Sequence, residues 1–191
     1  MRAFQLGRIH PEKQYLCLVD RILRQGRSEQ GRNGTTRVLL GETLKFPLTN
    51  NTLPLLTTKK LAWRTCLKEL LWFIRGDTSN TTLVKQNVHI WSDNATRDFL
   101  DSRGLHQREE GDLGPIYGHQ WRFFNAKYKT SDDDYRGKGV DQLSRIITAL
   151  KDPEERYSRR LILSAWNPLQ INEMALPPCH VLSQFHVTNS N

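Results

Sequence analysis

The chain has 191 residues, of which 37% are hydrophobic, and this length and composition predict one globular domain with a sizeable core. Five tryptophans, seven phenylalanines and five tyrosines argue against a disordered chain. The net charge of +8 favours anionic ligands such as phosphate, carboxylate or nucleic acid, although a solvated basic surface gives the same total. Because the basic residues are scattered, a nucleic-acid-binding protein is less favoured.

The spacing of the cysteines and the length of the apolar segments indicate the cellular compartment of the protein. Cys17, Cys66 and Cys179 are widely spaced and form no CxxC pair, so neither a disulfide framework nor a zinc site is predicted. Residues 1–15 lack the apolar run of a signal peptide, and the most apolar segment, residues 67–74, is too short to cross a bilayer. We therefore expect a protein of the cytoplasm or the nucleus, without a metal and without a membrane partner.

The first 75 residues predict two helices with two strands between them. Apolar residues at helical spacing predict a helix over 11–25, which a glycine ends. Residues 29–37 predict a loop rich in glycine and asparagine, and alternating apolar residues predict two strands within 37–48. A second helix is predicted up to about residue 74, and Thr57 or Thr58 can cap its start.

The rest of the chain predicts further helices and two strands. A short helix is expected over 94–103, and a longer one begins after Asp141 as its N-cap and stops before Pro153. Residues 159–166 predict a buried strand, and alternation over 181–187 predicts another. Since helices and strands are mixed without strict alternation, the fold class predicted is α+β rather than a doubly wound sheet.

Cys179 is the first candidate for chemistry. It lies between Pro177 and Pro178 on one side and His180 on the other, at the start of the last predicted strand. Two prolines fix two φ angles, so the cysteine is held at a stiff corner that can aim its sulfur. A thiolate is a strong nucleophile. The alternative is a buried cysteine that packs as a small hydrophobic residue.

Glu69 is the second candidate. On the predicted helix it neighbours Cys66, Trp72 and Phe73, so it borders an apolar stripe. A partly desolvated carboxyl suits proton transfer near neutrality. The alternative is a glutamate at the edge of the stripe that points to water.

Arginines form the third group of candidates. Arg32 lies in the predicted loop, where backbone N–H groups can also face an anion. Arg159 and Arg160 open a strand, and consecutive strand residues face opposite sides, so at least one needs an anionic partner. That partner is an internal carboxylate, a ligand phosphate or a phosphate across a subunit interface. Trp91 and Tyr117 are core residues by default or stack on a heterocycle.

Six motifs follow one another along the chain: LKELLWFIRGDT, NVHIWSDN, EEGDLGPIYGHQWR, GKGVDQL, SRRLILSAWNP and MALPPCHVLSQFHV. Together they resemble the thymidylate synthase family, of the eukaryotic or viral kind that carries the TRDFLDSRG insert. The resemblance runs from about Gln14 to the last residue. It implies a single domain over residues 1–191, with a mixed sheet flanked by helices.

The resemblance implies a methyltransferase that converts dUMP to dTMP. In this family the methyl group and the hydride come from 5,10-methylenetetrahydrofolate, which leaves as dihydrofolate. Cys179 matches the nucleophile that adds to carbon 6 of the uracil ring. Glu69 matches the glutamate that orders water and relays protons, and Tyr117 matches the tyrosine beside the cysteine.

The resemblance also implies binding residues and a homodimer. Arg32 matches the phosphate-binding arginine of a loop, while Arg159 and Arg160 match a pair that each subunit lends to its partner's dUMP phosphate. Three further positions match the folate-binding wall: Ile90, Trp91 and Leu176.

The chain departs from the family pattern in places. The phosphate-binding loop has Gly31 where the family usually has aspartate, and the segment between Pro153 and the arginine pair is longer than usual. The family continues beyond Asn191 with a further phosphate-binding arginine, the asparagine that reads uracil, and the sugar and folate contacts. We therefore expect a truncated domain that is inactive alone. The alternatives are a non-catalytic dimer-face or RNA-binding protein and a pyrimidine nucleotide hydroxymethylase.

Overall fold

A computed structural model describes residues 10–31 and 34–188. Within it the chain forms two compact units, Met1–Trp63 and Arg64–Asn191. The assignment of both units to a single domain stays a prediction. Arg32, the candidate phosphate ligand of the loop, lies outside the described residues. No helix of the described part is long and apolar enough to cross a membrane.

In its described residues the first unit contains one α-helix and one β-hairpin. Helix α1 spans Lys13–Gln25, as predicted, and the N–H of Gly26 donates to the Ile22 carbonyl at 2.9 Å to close its last turn. Strands β1, Arg27–Gly31, and β2, Gly34–Val38, pair antiparallel.

The prediction of a loop over 29–37 is therefore wrong for the described residues: residues 29–31 belong to β1, and residues 34–37 belong to β2. Gly34 has φ of +104°, a conformation that glycine adopts without strain, and it lets the chain re-enter the ladder after a short connection. The two strands predicted within 37–48 are also wrong, since only Val38 and its predecessor belong to β2. Polar residues with high exposure form this hairpin, so apolar alternation did not reveal it.

A buried carboxylate organises the start of α1. Glu12 is only 5% exposed, and its oxygens accept hydrogen bonds from the backbone N–H groups of Thr57 and Thr58 at 2.8 and 2.9 Å. Both threonine hydroxyls donate to it as well. These hydrogen bonds lower the pKa of Glu12 from its ordinary value of 4.5 to about 2, and the bonds from the two hydroxyls have the largest effect. The threonines therefore bind Glu12 and do not cap the second helix.

The second unit carries most of the helices and the second strand pair. Its helices are α2 Trp63–Ile74, which begins at the unit boundary, α3 Asn80–Val84, α4 Arg97–Ser102, α5 Tyr117–Phe123 and α6 Gln142–Lys151. Strands β3, Ile162–Ser164, and β4, Leu182–Gln184, pair antiparallel. Short 3₁₀ turns lie at Ser92–Asn94, Glu155–Tyr157 and Ile171–Glu173, and a further one lies in the first unit at Thr49–Asn51. The α+β class is confirmed.

Apolar burial and local caps hold these elements. The side chain of Asp141 accepts from the N–H of Ser144 at 2.9 Å, so it caps α6 as predicted. Arg122 joins Asp141 to the C-terminal end of α2, where it donates to the carbonyl of Ile74 at 2.6 Å. The core beneath consists of fully buried side chains from α2, α3, α4 and the loops before α5 and Cys179: Trp72, Leu83, Leu100, Leu113, Ile116 and Met174.

The two faces of the β3–β4 pair differ. Leu163 is 5% exposed and packs in the core, whereas Ile162 and Leu182 lie on the opposite face and are 43% and 57% exposed. The strand predicted over 159–166 is thus only three residues long, and it is buried on one face alone. Cys179 lies before β4 and outside it.

Acidification should weaken the first unit through Glu12. Because the folded-state pKa of Glu12 lies below the unfolded value, its carboxylate stabilises the fold above pH 4.5, and this stabilisation is lost as the pH falls towards about 2. We expect Glu12→Gln to lower the urea midpoint, followed by circular dichroism, at neutral pH, to have a smaller effect near pH ~3 and to have little effect at or below pH ~2.

The matched control is Glu29→Gln, which changes an exposed carboxylate on β1. It should leave the midpoint unchanged at both pH values. An equal loss for Glu12→Gln at both pH values would contradict a role for the charged form.

Candidate active site

The backbone at Cys179 is held by one tyrosine hydroxyl. The N–H groups of Cys179 and His180 both donate to the Tyr117 hydroxyl oxygen, at 2.5 and 3.1 Å. Pro177 and Pro178 precede them and fix the approach of the chain. The thiol of Cys179 is free and solvent exposed. The corner thus presents its sulfur to solvent while its backbone is bonded to a buried residue.

Tyr117 is the first residue of α5 and is 5% exposed. Its ring packs at 4.5 Å from that of Phe73 and 5.5 Å from that of His180. Burial raises the pKa of Tyr117 above its ordinary value of 10, the two backbone hydrogen bonds partly offset this, and the charges of Cys179 and Glu69 add to the rise. The hydroxyl therefore keeps its proton near neutrality.

Glu69 lies on α2 and is oriented by an indole. The Trp91 Nε1–H donates to a Glu69 carboxylate oxygen at 2.7 Å. Trp91 is 8% exposed, and its ring centroid lies 6.3 Å from that of Tyr117. Through these contacts the structure brings together four sequence-predicted residues: Cys179, Glu69, Tyr117 and Trp91.

The remaining candidates of the described part lie outside these hydrogen bonds and ring contacts. Ile90 is 51% exposed, and Leu176 packs partly buried against the core. Arg159 and Arg160 are both exposed, and neither has a carboxylate within ion-pair distance in residues 10–31 and 34–188. The Arg159 carbonyl accepts from the Gln184 side chain at 2.8 Å, which places this arginine beside the end of β4.

Comparison with known proteins gives the family. A family model described as thymidylate synthase matches residues 13–191. The chain belongs to the thymidylate synthase family.

Three curated members of this family illustrate the similarity. The "Probable thymidylate synthase" of Schizosaccharomyces pombe is 57% identical over 180 residues, which cover 93% of this chain and 28% of that protein. The "Thymidylate synthase" of Saccharomyces cerevisiae is 50% identical over 184 residues, 95% of this chain and 60% of that protein. The "Bifunctional dihydrofolate reductase-thymidylate synthase" of Leishmania major is 50% identical over 182 residues, covering 94% and 34%.

The chain therefore spans between 28% and 60% of the length of these thymidylate synthase relatives. The comparisons do not favour the non-catalytic, RNA-binding or hydroxymethylase hypotheses.

The sequence patterns did not predict that several further residues pack around Tyr117 or form hydrogen bonds near it. Phe73 and Trp121 enclose the Tyr117 ring, with ring centroids at 4.5 and 6.4 Å. Beyond them, buried amide side chains from α5 and the segment after β3 bond to one another. Helical spacing from Tyr117 to Trp121 is the one signal that could have revealed part of this shell.

One groove of the second unit lies apart from the cysteine. It has a volume of about 970 Å³ and lies between α6 and the residues that lead into β3, with Arg160 at its border. Cys179, Glu69 and Tyr117 do not line it. Among the residues that the structure describes, no group of three or more histidine, cysteine, aspartate or glutamate side chains could hold a metal ion.

Removing the Tyr117 hydroxyl should loosen the cysteine corner. Tyr117→Phe keeps the ring packing but leaves two backbone donors without their acceptor, which costs about 1–3 kcal/mol of unfolding free energy. We expect the amide hydrogens of Cys179 and His180 to exchange at least ~10-fold faster, measured by mass spectrometry on peptides that span the corner.

Tyr135→Phe is the matched control. Its hydroxyl also accepts from two backbone N–H groups, those of Lys129 and Thr130, in a separate aromatic cluster. It should speed exchange there and leave the corner at Cys179 protected. Unchanged exchange at the corner in Tyr117→Phe would refute the anchoring role.

Proposed function

We propose that the protein to which this chain belongs catalyses the reductive methylation of dUMP to dTMP, with 5,10-methylenetetrahydrofolate as co-substrate and dihydrofolate as second product. One observation carries the proposal. In a chain of the thymidylate synthase family, the Tyr117 hydroxyl holds the backbone of an exposed cysteine, and the Tyr117 ring lies next to the buried indole of Trp91, which orients the Glu69 carboxylate. Such a corner suits attack by sulfur on a planar ring.

The chemistry proposed for Cys179 is a temporary addition. Carbon 5 of uracil is a poor nucleophile, and bonding of the Cys179 sulfur to carbon 6 moves an electron pair towards carbon 5 and the carbonyl oxygen. The folate supplies a one-carbon unit and a hydride. Carbon 5 bonds to the one-carbon unit and then loses its proton as the bond from that unit to the folate nitrogen breaks. The folate's hydride adds to the resulting methylene carbon, and the sulfur leaves as the ring double bond returns. The cysteine is regenerated, so the protein undergoes no net change.

Glu69 is proposed as the proton-transfer residue. Its carboxylate accepts from the Trp91 indole at 2.7 Å, so one oxygen is fixed while the other is left for water or substrate. Tyr117 is proposed to keep the cysteine corner in place and, because its pKa is raised, to retain a proton for a hydrogen bond near the ring. These roles suit the neutral pH of the proposed cytoplasmic location, which is supported by three free, exposed cysteines.

Arg159, Arg160 and Arg32 are proposed to bind the dUMP phosphate, the first two in the site of a second subunit. Two features of the described residues support this. Neither Arg159 nor Arg160 has a carboxylate within ion-pair distance in the described part of the chain. The adjacent β3–β4 face exposes Ile162 and Leu182, and such an apolar surface suits burial between two copies in a homodimer.

The folate is proposed to lie against Ile90, Trp91 and Leu176. Ile90 offers an exposed apolar side chain next to the buried Trp91 indole, and Leu176 lies three residues before the cysteine. An apolar wall beside a few oriented polar groups is the usual form of a site for a flat heterocycle.

Covalent trapping tests the nucleophile. A dUMP analogue with fluorine at carbon 5 cannot lose a proton there, so together with the folate it should leave an adduct on Cys179, detected by peptide mass spectrometry. Cys179→Ser should form no adduct and no dTMP, because a serine hydroxyl is not ionised near neutrality.

Cys17→Ser is the control, since Cys17 is also free and exposed but lies on α1. It should form the adduct as the unchanged protein does. An adduct on Cys17 or Cys66 would overturn the assignment.

Subunit mixing tests the shared site. Arg159→Ala should weaken dUMP binding through loss of a charge-assisted hydrogen bond, about 1.5–3 kcal/mol. When this variant is exchanged with Cys179→Ser, half of the dimers contain one intact site, so about a quarter of the original activity should return. Arg103→Ala, a change at an exposed arginine after α4, should keep its activity without mixing. Absence of recovery on mixing would count against arginines lent between subunits.

A further inference from the structure

Three buried amide side chains form a closed set of hydrogen bonds behind Tyr117. Gln120, Asn167 and Gln170 are 0%, 2% and 5% exposed. The Gln120 Nε2 donates to the Gln170 Oε1 at 3.0 Å, and the Asn167 Nδ2 donates to the Gln170 Oε1 at 3.0 Å and to the Gln120 Oε1 at 3.2 Å. Each side chain thus contacts the other two, and we call the set the amide triangle.

The remaining polar atoms of the amide triangle bind the backbone. The Gln120 Nε2 also donates to the Pro115 carbonyl at 2.8 Å, and the Gln170 Nε2 donates to the Ala126 carbonyl at 2.9 Å. The Asn167 Oδ1 accepts from the Leu169 N–H at 3.1 Å. Because every oxygen accepts and every nitrogen donates, the orientation of each amide is determined by its neighbours.

The amide triangle joins the two segments that meet at the cysteine. Gln120 lies one turn after Tyr117 on α5, and its bond to the Pro115 carbonyl fixes the two residues that precede Tyr117. Asn167 and Gln170 follow β3 and lead into the segment that continues to Cys179. Farther along that segment, the Ala175 N–H donates to the Leu113 carbonyl at 3.0 Å.

We propose that the amide triangle positions the Tyr117 hydroxyl relative to Cys179, so that Gln120, Asn167 and Gln170 are positioning residues for the methylation reaction. The inference rests on the proposed function. Apolar side chains of similar size could fill the same space, but dispersion contacts are not directional and would let the start of α5 shift. Hydrogen bonds between amides fix the distance and angle between the two segments. The amide triangle therefore contributes more to the relative position of the two segments than to the free energy of unfolding.

The experiment separates geometry from stability. Gln120→Met keeps the volume but removes two sides of the amide triangle and the donor to the Pro115 carbonyl. The triple variant Gln120→Met, Asn167→Leu, Gln170→Met removes all three amides together. Thr78→Val is the control, since it removes a buried hydroxyl that bonds to Tyr128 at 2.8 Å, outside the amide triangle. For each, we would measure the urea midpoint, the dissociation constant of dUMP and the rate of covalent adduct formation with the 5-fluoro analogue and the folate.

We expect Gln120→Met to lower the midpoint and to slow adduct formation at least ~10-fold, with a dUMP dissociation constant changed less than ~3-fold. The triple variant should regain part of the midpoint, because the bonds among the three amides are replaced at both ends, whereas the Pro115 carbonyl and the Leu169 N–H lose their side-chain partners. Its adduct formation should stay slow. Thr78→Val should lower the midpoint and leave the adduct rate unchanged.

The inference is overturned if the adduct rate of the triple variant returns with its stability, or if Thr78→Val slows the reaction as much as Gln120→Met. If Gln120→Met does not fold, Gln170→Met replaces it, because it breaks two sides of the amide triangle at its least buried corner.

A second readout distinguishes failure of this inference from failure of the proposed function. If the whole protein to which this chain belongs, without substitutions, forms no adduct, the proposed function fails. The amide exchange of Cys179 and His180 then tests the positioning alone. Faster exchange in the triple variant than in Thr78→Val supports the inference, and equal exchange overturns it.

Discussion

The contact between the Tyr117 hydroxyl and the backbone of Cys179 and His180 connects the core of the second unit to its candidate site. A cysteine at a chain corner has few neighbours to hold it, since its side chain is exposed and it belongs to no strand. One hydroxyl that accepts from two consecutive N–H groups restricts both position and direction. The proline pair limits the chain on the other side, so the corner is fixed from two directions.

The aromatic cluster makes this contact rigid and also determines its chemistry. Trp72, Phe73, Trp91 and Trp121 pack around the tyrosine or next to it, and burial of Tyr117 raises the pKa of its hydroxyl. The same cluster carries the indole that orients Glu69. The residues proposed as proton holder, proton-transfer group and nucleophile, Tyr117, Glu69 and Cys179, are thereby positioned by a single packed body, which is the arrangement that precise covalent chemistry requires.

Local signals in the sequence predicted the parts of the fold that depend on neighbours along the chain. Helix α1 and the Asp141 cap of α6 follow from helical spacing and cap chemistry, and Cys179 was found because two prolines precede it. Long-range partners escaped prediction. Glu12 binds threonines 45 and 46 residues away, and the amide triangle spans about fifty, so no short pattern marks either. The hairpin of β1 and β2 escaped because its exposed faces show no apolar alternation.

The ladder between β3 and β4 covers only three residues of each strand, so an insertion or deletion next to it can shift the strand register. Side chains in a strand alternate between faces, so a slip of one residue would turn Leu163 towards solvent and carry Ile162 into the core. The arginines just before β3 would rotate with it. Insertions between Pro153 and Arg159 are therefore tolerated only where the loop absorbs them and the pairing of Leu163 with Ser183 is kept. In this segment the fold depends on the register of β3 against β4 and not on the length of the preceding loop.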